Sequence, residues 1–157
     1  MNKDSLGDRM KQYENIPKNR LMRRQPVIIR IDGKAFHTFT RGFQRPFDDV
    51  LIKSMQETMK YLCENIQGCK MGYCQSDEIS LLITDYETIN TAAWFNYQVQ
   101  KMCSIAASMA TLAFHSFFRN NALVKVTILD AYSRKKENYP GDWEKDRILR
   151  SNSLSCQ

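Results

Sequence analysis

Pro26-Val27-Ile28-Ile29-Arg30-Ile31 is almost continuously apolar, rich in β-branched residues, and stops at Asp32-Gly33. Such a run reads as a strand, and one so uniformly apolar is expected to be covered on both faces. A strand cannot stand alone, because its N–H and C=O groups need partners. Two further runs supply them: Cys69 to Cys74 and Ile79 to Ile83, joined as a hairpin across Gln75-Ser76-Asp77-Glu78. Between first strand and hairpin, Leu51, Ile52, Met55, Met59, Leu62, Cys63 and Ile66 recur at helical spacing within 47–66. Asp48 or Asp49 can cap that helix, and Gly68 ends it. A second long helix is expected from about Thr91 to Phe118, where Ala106, Ala107, Ala110 and Ala113 are small enough to lie close to a sheet. Leu123 to Leu129 reads as a fourth strand. The order strand, helix, strand, strand, helix, strand is the split βαββαβ pattern of ferredoxin-like domains, an α+β class with an antiparallel sheet and helices packed on one face.

The other segments frame this core. Residues 4 to 14 can form a short helix capped by Asp4 or Ser5 and ended by Pro17. Lys18, Arg20, Arg23 and Arg24 follow as a basic linker, to be read as a solvated stretch or as a rim for an anionic ligand. Lys34 to Arg41 forms a short turn or helix carrying Phe36, His37 and Phe39. A chain of 157 residues fits one compact domain, expected over 1–130, with the first helix and basic linker in 1–25 and the core in 26–130. From Tyr132 the apolar periodicity ends, so 131–157 is expected to be a poorly ordered tail.

An apolar share of 43% and a charged share of 25% exclude wholesale disorder. The opening MNKDSLGDRM has no apolar signal core, and no stretch reaches the ~18 apolar residues of a membrane-spanning helix, so a cytoplasmic protein is expected. Five cysteines, at 63, 69, 74, 103 and 156, form no Cys-x-x-Cys pair, so free thiols are expected rather than a zinc site or a disulfide framework. The 23 Lys and Arg against 17 Asp and Glu give a net charge of +6, which permits an anionic partner such as nucleic acid or nucleotide.

In a split βαβ sheet the right-handed crossovers bring the first strand beside the hairpin. Asp32 ends that strand and Asp77 sits in the hairpin turn, so the two carboxylates are expected to converge. Hairpin turns favour Asn-Gly or Asp-Gly, and the adjacent carboxylates of Asp77-Glu78 depart from that preference. Converging carboxylates repel unless a cation lies between them. Mg2+ suits such a place, because it takes oxygen ligands and is completed by water and substrate phosphates. Two such ions can clamp the attacking and leaving oxygens of a phosphoryl transfer. Gly33 would let backbone approach a metal or phosphate with no Cβ in the way. Spacing alone also allows a plain turn at Asp32-Gly33 and a surface aspartate at 77. His37 can donate to a phosphate or pack between Phe36 and Phe39, and Lys101 can snorkel to solvent or face a ligand.

Three ordered motifs go further. Arg30-Ile31-Asp32-Gly33-Lys34-Ala35-Phe36-His37-Thr38-Phe39, then Arg45-Pro46-Phe47-Asp48, then Gln75-Ser76-Asp77-Glu78-Ile79-Ser80 resemble the tRNA(His) guanylyltransferase family, most nearly its bacterial and archaeal branch. The resemblance implies a palm domain similar to those of polymerases and nucleotide cyclases, run in reverse to add nucleotides to an RNA 5′ end. It implies that Asp32, the Gly33 carbonyl and Asp77 hold two Mg2+, and that Asp32, Asp77 and Glu78 are the catalytic acidic positions. Residues 32 to 37 (Asp32, Gly33, Lys34, Ala35, Phe36, His37), with Ser76, would surround the nucleoside triphosphate. Arg45 and Asp48 stand at the basic and acidic positions of a Lys-Pro-x-Asp motif, Arg replacing Lys, and Lys101 stands where a helix lysine is associated with phosphate. ATP or GTP would activate the RNA 5′ phosphate, and the 3′-hydroxyl of an incoming nucleotide would then attack it. A tRNA 5′ end and nucleoside triphosphates as partners, and a homo-oligomer, dimer or tetramer, are also implied.

The resemblance fades at the carboxy-terminal end. Family members are considerably longer and carry Phe-Asp-Ala/Gly-Arg, Trp-Arg-Gln and Arg/His-x-Asn segments there. Leu129-Asp130-Ala131-Tyr132, Trp143-Glu144-Lys145-Asp146 and Arg150-Ser151-Asn152-Ser153 are degraded echoes. The function expected is metal-dependent extension of tRNA 5′ ends in the 3′-to-5′ direction, as repair or as tRNA(His) guanylylation. The alternative is an inactive or regulatory nucleotide-binding palm module without the RNA-handling part. A nucleotide cyclase is a third reading.

Overall fold

The computed structural model describes residues 5–138. The chain divides into two compact units, Met1–Phe118 and Arg119–Gln157. In the first unit α1 spans Ser5–Asn15, β1 Val27–Ile31, the single turn α2 Phe36–Phe39, α3 Asp49–Asn65, β2 Cys69–Gln75 and β3 Glu78–Ile83. A 3-10 turn, Trp94–Tyr97, leads into α4, Val99–Asn138, whose last residues belong to the second unit. No helix among the described residues is long and apolar enough to cross a membrane.

The sheet has the order β1-β3-β2 and is antiparallel throughout. Its inner face turns Val27, Ile29, Ile79, Leu81 and Ile83 onto Met55 and Leu62 of α3 and onto Met102, Ala106 and Ala110 of α4. The small alanines let α4 share this core, as their spacing suggests. The α+β class expected from the order of elements, and the palm-type fold implied by the resemblance, are what the chain adopts, with three strands in the sheet. Helix α3 starts where its cap requires: the Asp48 carboxylate accepts a hydrogen bond from the Leu51 N–H at 3.1 Å.

Three local expectations are corrected. β1 is buried on one face only. Its residues alternate inward and outward, and Ile28 is 69% exposed. The antiparallel sheet is half-covered, so an apolar run does not prove burial on both sides. Secondly, the helix expected from Thr91 begins only at Val99, because Phe95, Asn96 and Tyr97 all take positive φ, at 48°, 51° and 52°. Left-handed residues cannot propagate a right-handed helix.

The third correction is the fourth strand. Leu123 to Leu129 lies inside α4, and the Thr127 hydroxyl donates to the Leu123 carbonyl at 2.9 Å. A strand needs a neighbouring edge for its backbone groups, whereas a helix satisfies them internally and elongates cheaply once nucleated. That local advantage outweighs the β preference of Val124, Val126 and Ile128. Of the expected tail, residues 131–138 are helical, and 139–157, with the Trp143 and Arg150 segments, lie outside the described residues.

A polar network ties the basic linker to the segment before α4. The Asp85 carboxylate has no exposed surface. It accepts from Arg23 Nε at 2.5 Å and from the Arg24 N–H at 2.9 Å. Arg23 also donates to Asn96 Oδ1 and to the Thr91 carbonyl, and Arg24 to the carbonyls of Thr88 and Ile89. Burial alone would raise the Asp85 carboxyl, but the Arg23 and Arg24 hydrogen bonds and the Arg23 charge outweigh it and hold it below the usual carboxylate range. Burial, then the Asp85 charge, pushes the neighbouring Tyr97 phenol up to about 12. A carboxylate with a depressed folded pKa stabilises the fold above its unfolded value of about 3.9 and loses that contribution as pH falls through the lower folded value. Urea unfolding followed from neutrality to below about pH 3 should show a steep acid loss of stability, and Asp85→Asn should be less stable at neutrality with a flatter acid limb. An unchanged acid limb in that variant would remove Asp85 from this role.

Candidate active site

β1 delivers Asp32 and Gly33 to the same end of the sheet as the hairpin tip. Ile31 pairs with Ile79, and Gln75 pairs with Glu78, so Ser76 and Asp77 form a two-residue turn beside the exit of β1. Ser76 has φ 55° and Ala35, just before α2, has φ 54°. Non-glycine residues held at positive φ cost energy and recur where backbone must take a shape for a ligand.

Gly33 measures how closely the two aspartates' segments approach. A Cβ built on it would lie 3.0 Å from Asp77 Cβ, 3.3 Å from Asp77 Oδ2 and 2.9 Å from the Phe36 ring. The Asp77 side chain therefore lies against the backbone that immediately follows Asp32. Glycine at 33 leaves room for the Asp77 side chain beside the exit of β1.

Two clefts meet there. One, of about 380 Å3, carries Asp32, Gly33, Lys34 and Asp77 on its polar side, with Ile31, Phe39, Met55 and Phe114 as apolar wall. The other, of about 460 Å3, is lined by His37, Arg45, Asp48 and Ser76 among others. Phe36 and Asp77 line both. The region thus combines carboxylates, cations, a hydroxyl and aromatic surface, as a nucleotide's phosphates and base require.

Some residues singled out in the sequence sit elsewhere or have other partners. Glu78 opens β3 and pairs with Arg30 at 3.6 Å. Asp48 lines the larger cleft, but its carboxylate also caps α3. Ala35 is the left-handed residue preceding α2. Lys101 lies over the Phe95 ring, 4.6 Å from its centroid, and lines neither cleft. Of the basic linker, Arg23 and Arg24 are engaged by the Asp85 network, while Lys18 and Arg20 donate to Asn15 Oδ1.

Sequence reasoning missed the aromatic support of the site. The Phe39 ring meets those of Phe36, Phe43, Phe114 and Phe118, with centroids 5.4–6.0 Å apart. Four-residue α2 could not persist alone. These rings fasten it to α4 and so position Phe36 and His37. The signal was available as Phe36 and Phe39 three apart and Phe114 and Phe118 four apart, each pair on one helical face.

Comparison with known proteins bears on the family and the fold. The profile of the tRNAHis guanylyltransferase family (Thg1) matches residues 7–139. A bacterial tRNA(His) guanylyltransferase (Thg1)-like protein in complex with GTP superposes with a TM-score of 0.68 and 52% identity, covering 74% of this chain and 53% of that one. The complex of such a bacterial protein with ATP gives a TM-score of 0.69 and 51% identity over 75% of this chain and 52% of that one. The tRNA(His) guanylyltransferase of Schizosaccharomyces pombe is 26% identical over 133 residues, 83% of this chain and 48% of that protein. The chain spans about half the length of the relatives it matches. Its family profile and palm-type fold together place this chain in the tRNA(His) guanylyltransferase family.

Proposed function

We propose that this chain is a nucleotidyltransferase that adds nucleotides to the 5′ end of tRNA in the 3′-to-5′ direction, using ATP or GTP to activate that end. The observation that carries the reading is Asp77 packed against the Gly33 backbone beside Asp32, at the junction of two clefts. Solved complexes of similar bacterial proteins hold GTP and ATP, which supports nucleoside triphosphates as ligands.

The donors fit Mg2+. No cluster of three His, Cys, Asp or Glu side chains suited to a metal occurs among the described residues. Two carboxylates and a carbonyl leave coordination positions for water and phosphate oxygens, as Mg2+ requires and a fully enclosed site would not. Asp32, Asp77 and the Gly33 carbonyl would hold it, and it would supply neutralisation of phosphate charge and alignment of the reacting oxygens.

The chain's own residues do the rest. Lys34 places a cation beside the carboxylates, and Arg45 and His37 line the adjoining cleft, where each can donate to phosphate oxygens. Phe36 presents an aromatic face to both clefts. Glu78, paired with Arg30, sets the charge at the hairpin edge rather than facing the carboxylates unbalanced. Phosphoryl transfer demands little covalent work from protein, so positioning and charge of this kind supply most of the catalysis. We place the enzyme in the cytoplasm as a homo-oligomer.

The test is incubation with 5′-labelled, 5′-truncated tRNA and each triphosphate, resolved by length. Lengthened RNA is expected. Triphosphate binding without lengthening across a range of Mg2+ concentrations would support the second reading, a nucleotide-binding module, which the GTP and ATP held by similar bacterial proteins also fit.

A further inference from the structure

Helix α1 carries an apolar stripe that nothing among the described residues covers. Leu6, Met10 and Tyr13 recur at four and three along it, and Ile16 continues the row just past its end. These side chains are between 48% and 79% exposed. Arg9 and Glu14 border the stripe on its two sides. A second uncovered apolar surface is the outer face of the sheet. Register places Ile28, Leu82 and Met71 in one row across β1, β3 and β2, and Arg30, Ser80 and Tyr73 in the next. Ile28, Met71 and Tyr73 are exposed there, because α3 and α4 pack on the opposite face. Arg30 and Glu78, paired at 3.6 Å, form the border of this patch.

We propose that α1 is an exchanged arm: its stripe of Leu6, Met10 and Tyr13 lies across the row of Ile28, Leu82 and Met71 on a second copy of this chain, whose own arm returns the contact. A helix stripe and a sheet face are the two halves of an ordinary layer contact. Two such contacts related by a twofold axis close the dimer and leave neither surface bare. The dimer gives the homo-oligomer proposed above an interface, and it rests on that part of the reading alone, not on the nucleotide chemistry.

A second copy, rather than the arm's own sheet, is favoured by how the base of α1 is fastened. Asn15 Oδ1 accepts from Lys18 Nζ and from the Arg20 guanidinium, each at 3.2 Å. The linker beyond is tied to the entry of α4, where the Leu21 N–H donates to the Tyr97 carbonyl and the Val99 N–H to the Asn19 carbonyl, each at 3.0 Å. With its base held so, α1 leaves both its own stripe and its own sheet face exposed. A partner's arm covers them with every one of these bonds kept. Charge agrees: Glu14 already faces Lys18 at 3.9 Å, and Arg9, on the other side of the stripe, meets Glu78 at the border of the patch. RNA suits the patch less well, since Arg30 on this face is already balanced by Glu78. Roughly a dozen residues from each copy take part, fewer than the ~20–30 of a standard interface, so a weak, concentration-dependent dimer is expected.

Sedimentation velocity of the full chain, without nucleotide or RNA and over a wide range of concentration, reads the dimer. Met10→Glu with Tyr13→Glu should raise the concentration of half-dimerisation at least ~10-fold, and Ile28→Thr with Met71→Glu should do the same, with circular dichroism showing each variant folded. Arg9→Glu should weaken the dimer about twofold to fivefold, and Glu78→Lys added to that variant should recover the loss. The photocrosslinker p-benzoylphenylalanine in place of Tyr13, irradiated in a mixture of ordinary and heavy-nitrogen chains, should join the two kinds of chain through tryptic peptide 25–30 or 71–101. A dimer that keeps its strength in the arm variant would leave the homo-oligomer standing and remove this interface. A monomer at every concentration would remove both, while tRNA extension, measured separately, still judges the enzyme. Cross-links confined within one chain would give the patch to its own arm, and tRNA binding that falls in the Ile28 and Met71 variant but not in the arm variant would give it to RNA; either result overturns the proposal.

Discussion

Asp32→Asn and Asp77→Asn are each expected to lower triphosphate-dependent extension of tRNA at least ~100-fold, with the fold intact. Asn keeps the shape and removes the charge, so it isolates the carboxylate's role. Asp77 lies against the backbone just after Asp32, and both aspartates line one cleft. Neither substitution changes side-chain shape, so unfolding midpoints should stay close to the unsubstituted chain's. The double variant should be hardly worse than either single one, since groups serving one ion act as a unit and their losses do not add. Rates, Mg2+ titrations and urea unfolding on the three variants decide it. Near wild-type turnover in either single variant, or losses that multiply in the double, would show that the aspartates do not serve a common site.

That pair is legible in the sequence because it depends on strand order, which three apolar runs and one helical period determine. The α3 cap, the hairpin and the approach of the Asp77 turn to the end of β1 all follow from local pattern plus the handedness of crossovers. What escapes depends on distant partners or on competition between near-equal states. Phe95, Asn96 and Tyr97 delay α4 through left-handed backbone, and Asn96 is held by Arg23, which Asp85 in turn holds. No local preference of Phe, Asn or Tyr announces that. Residues 123–129 have strand-like composition, but composition cannot say whether a sheet edge or a growing helix reaches them first. The resemblance assigns Lys101 to phosphate, yet in this chain its ammonium sits on Phe95. A cation on a helix takes whichever neighbour the turn before it presents, and here an unforeseen turn presents an aromatic face.

Gly68→Ala is expected to destabilise the fold by about 2–4 kcal/mol, a large change for one methyl group. Gly68 has φ +79°, and a Cβ there would lie 2.4 Å from the backbone carbonyl oxygen of Thr84. That oxygen cannot swing away as a side chain would, because Thr84 donates its own N–H to the Gly68 carbonyl at 2.9 Å and so pins the two segments together. The added carbon must push α3's exit from the end of β3. Gly42→Ala is the control: its φ is +89°, but nothing lies within 4 Å of the added carbon. It should cost only the left-handed strain, about 1–2 kcal/mol. The difference between the two variants in urea unfolding therefore measures the clash rather than the dihedral. It also reaches the site, because Cys69 pairs with Ile83 at the base of the hairpin whose tip presents Asp77. Gly68→Ala should lower tRNA extension under conditions where it is still folded, while Gly42→Ala should leave the hairpin in register. Equal costs in the two variants would mean that the junction yields to the methyl group, and that the hairpin's position is set by the sheet alone.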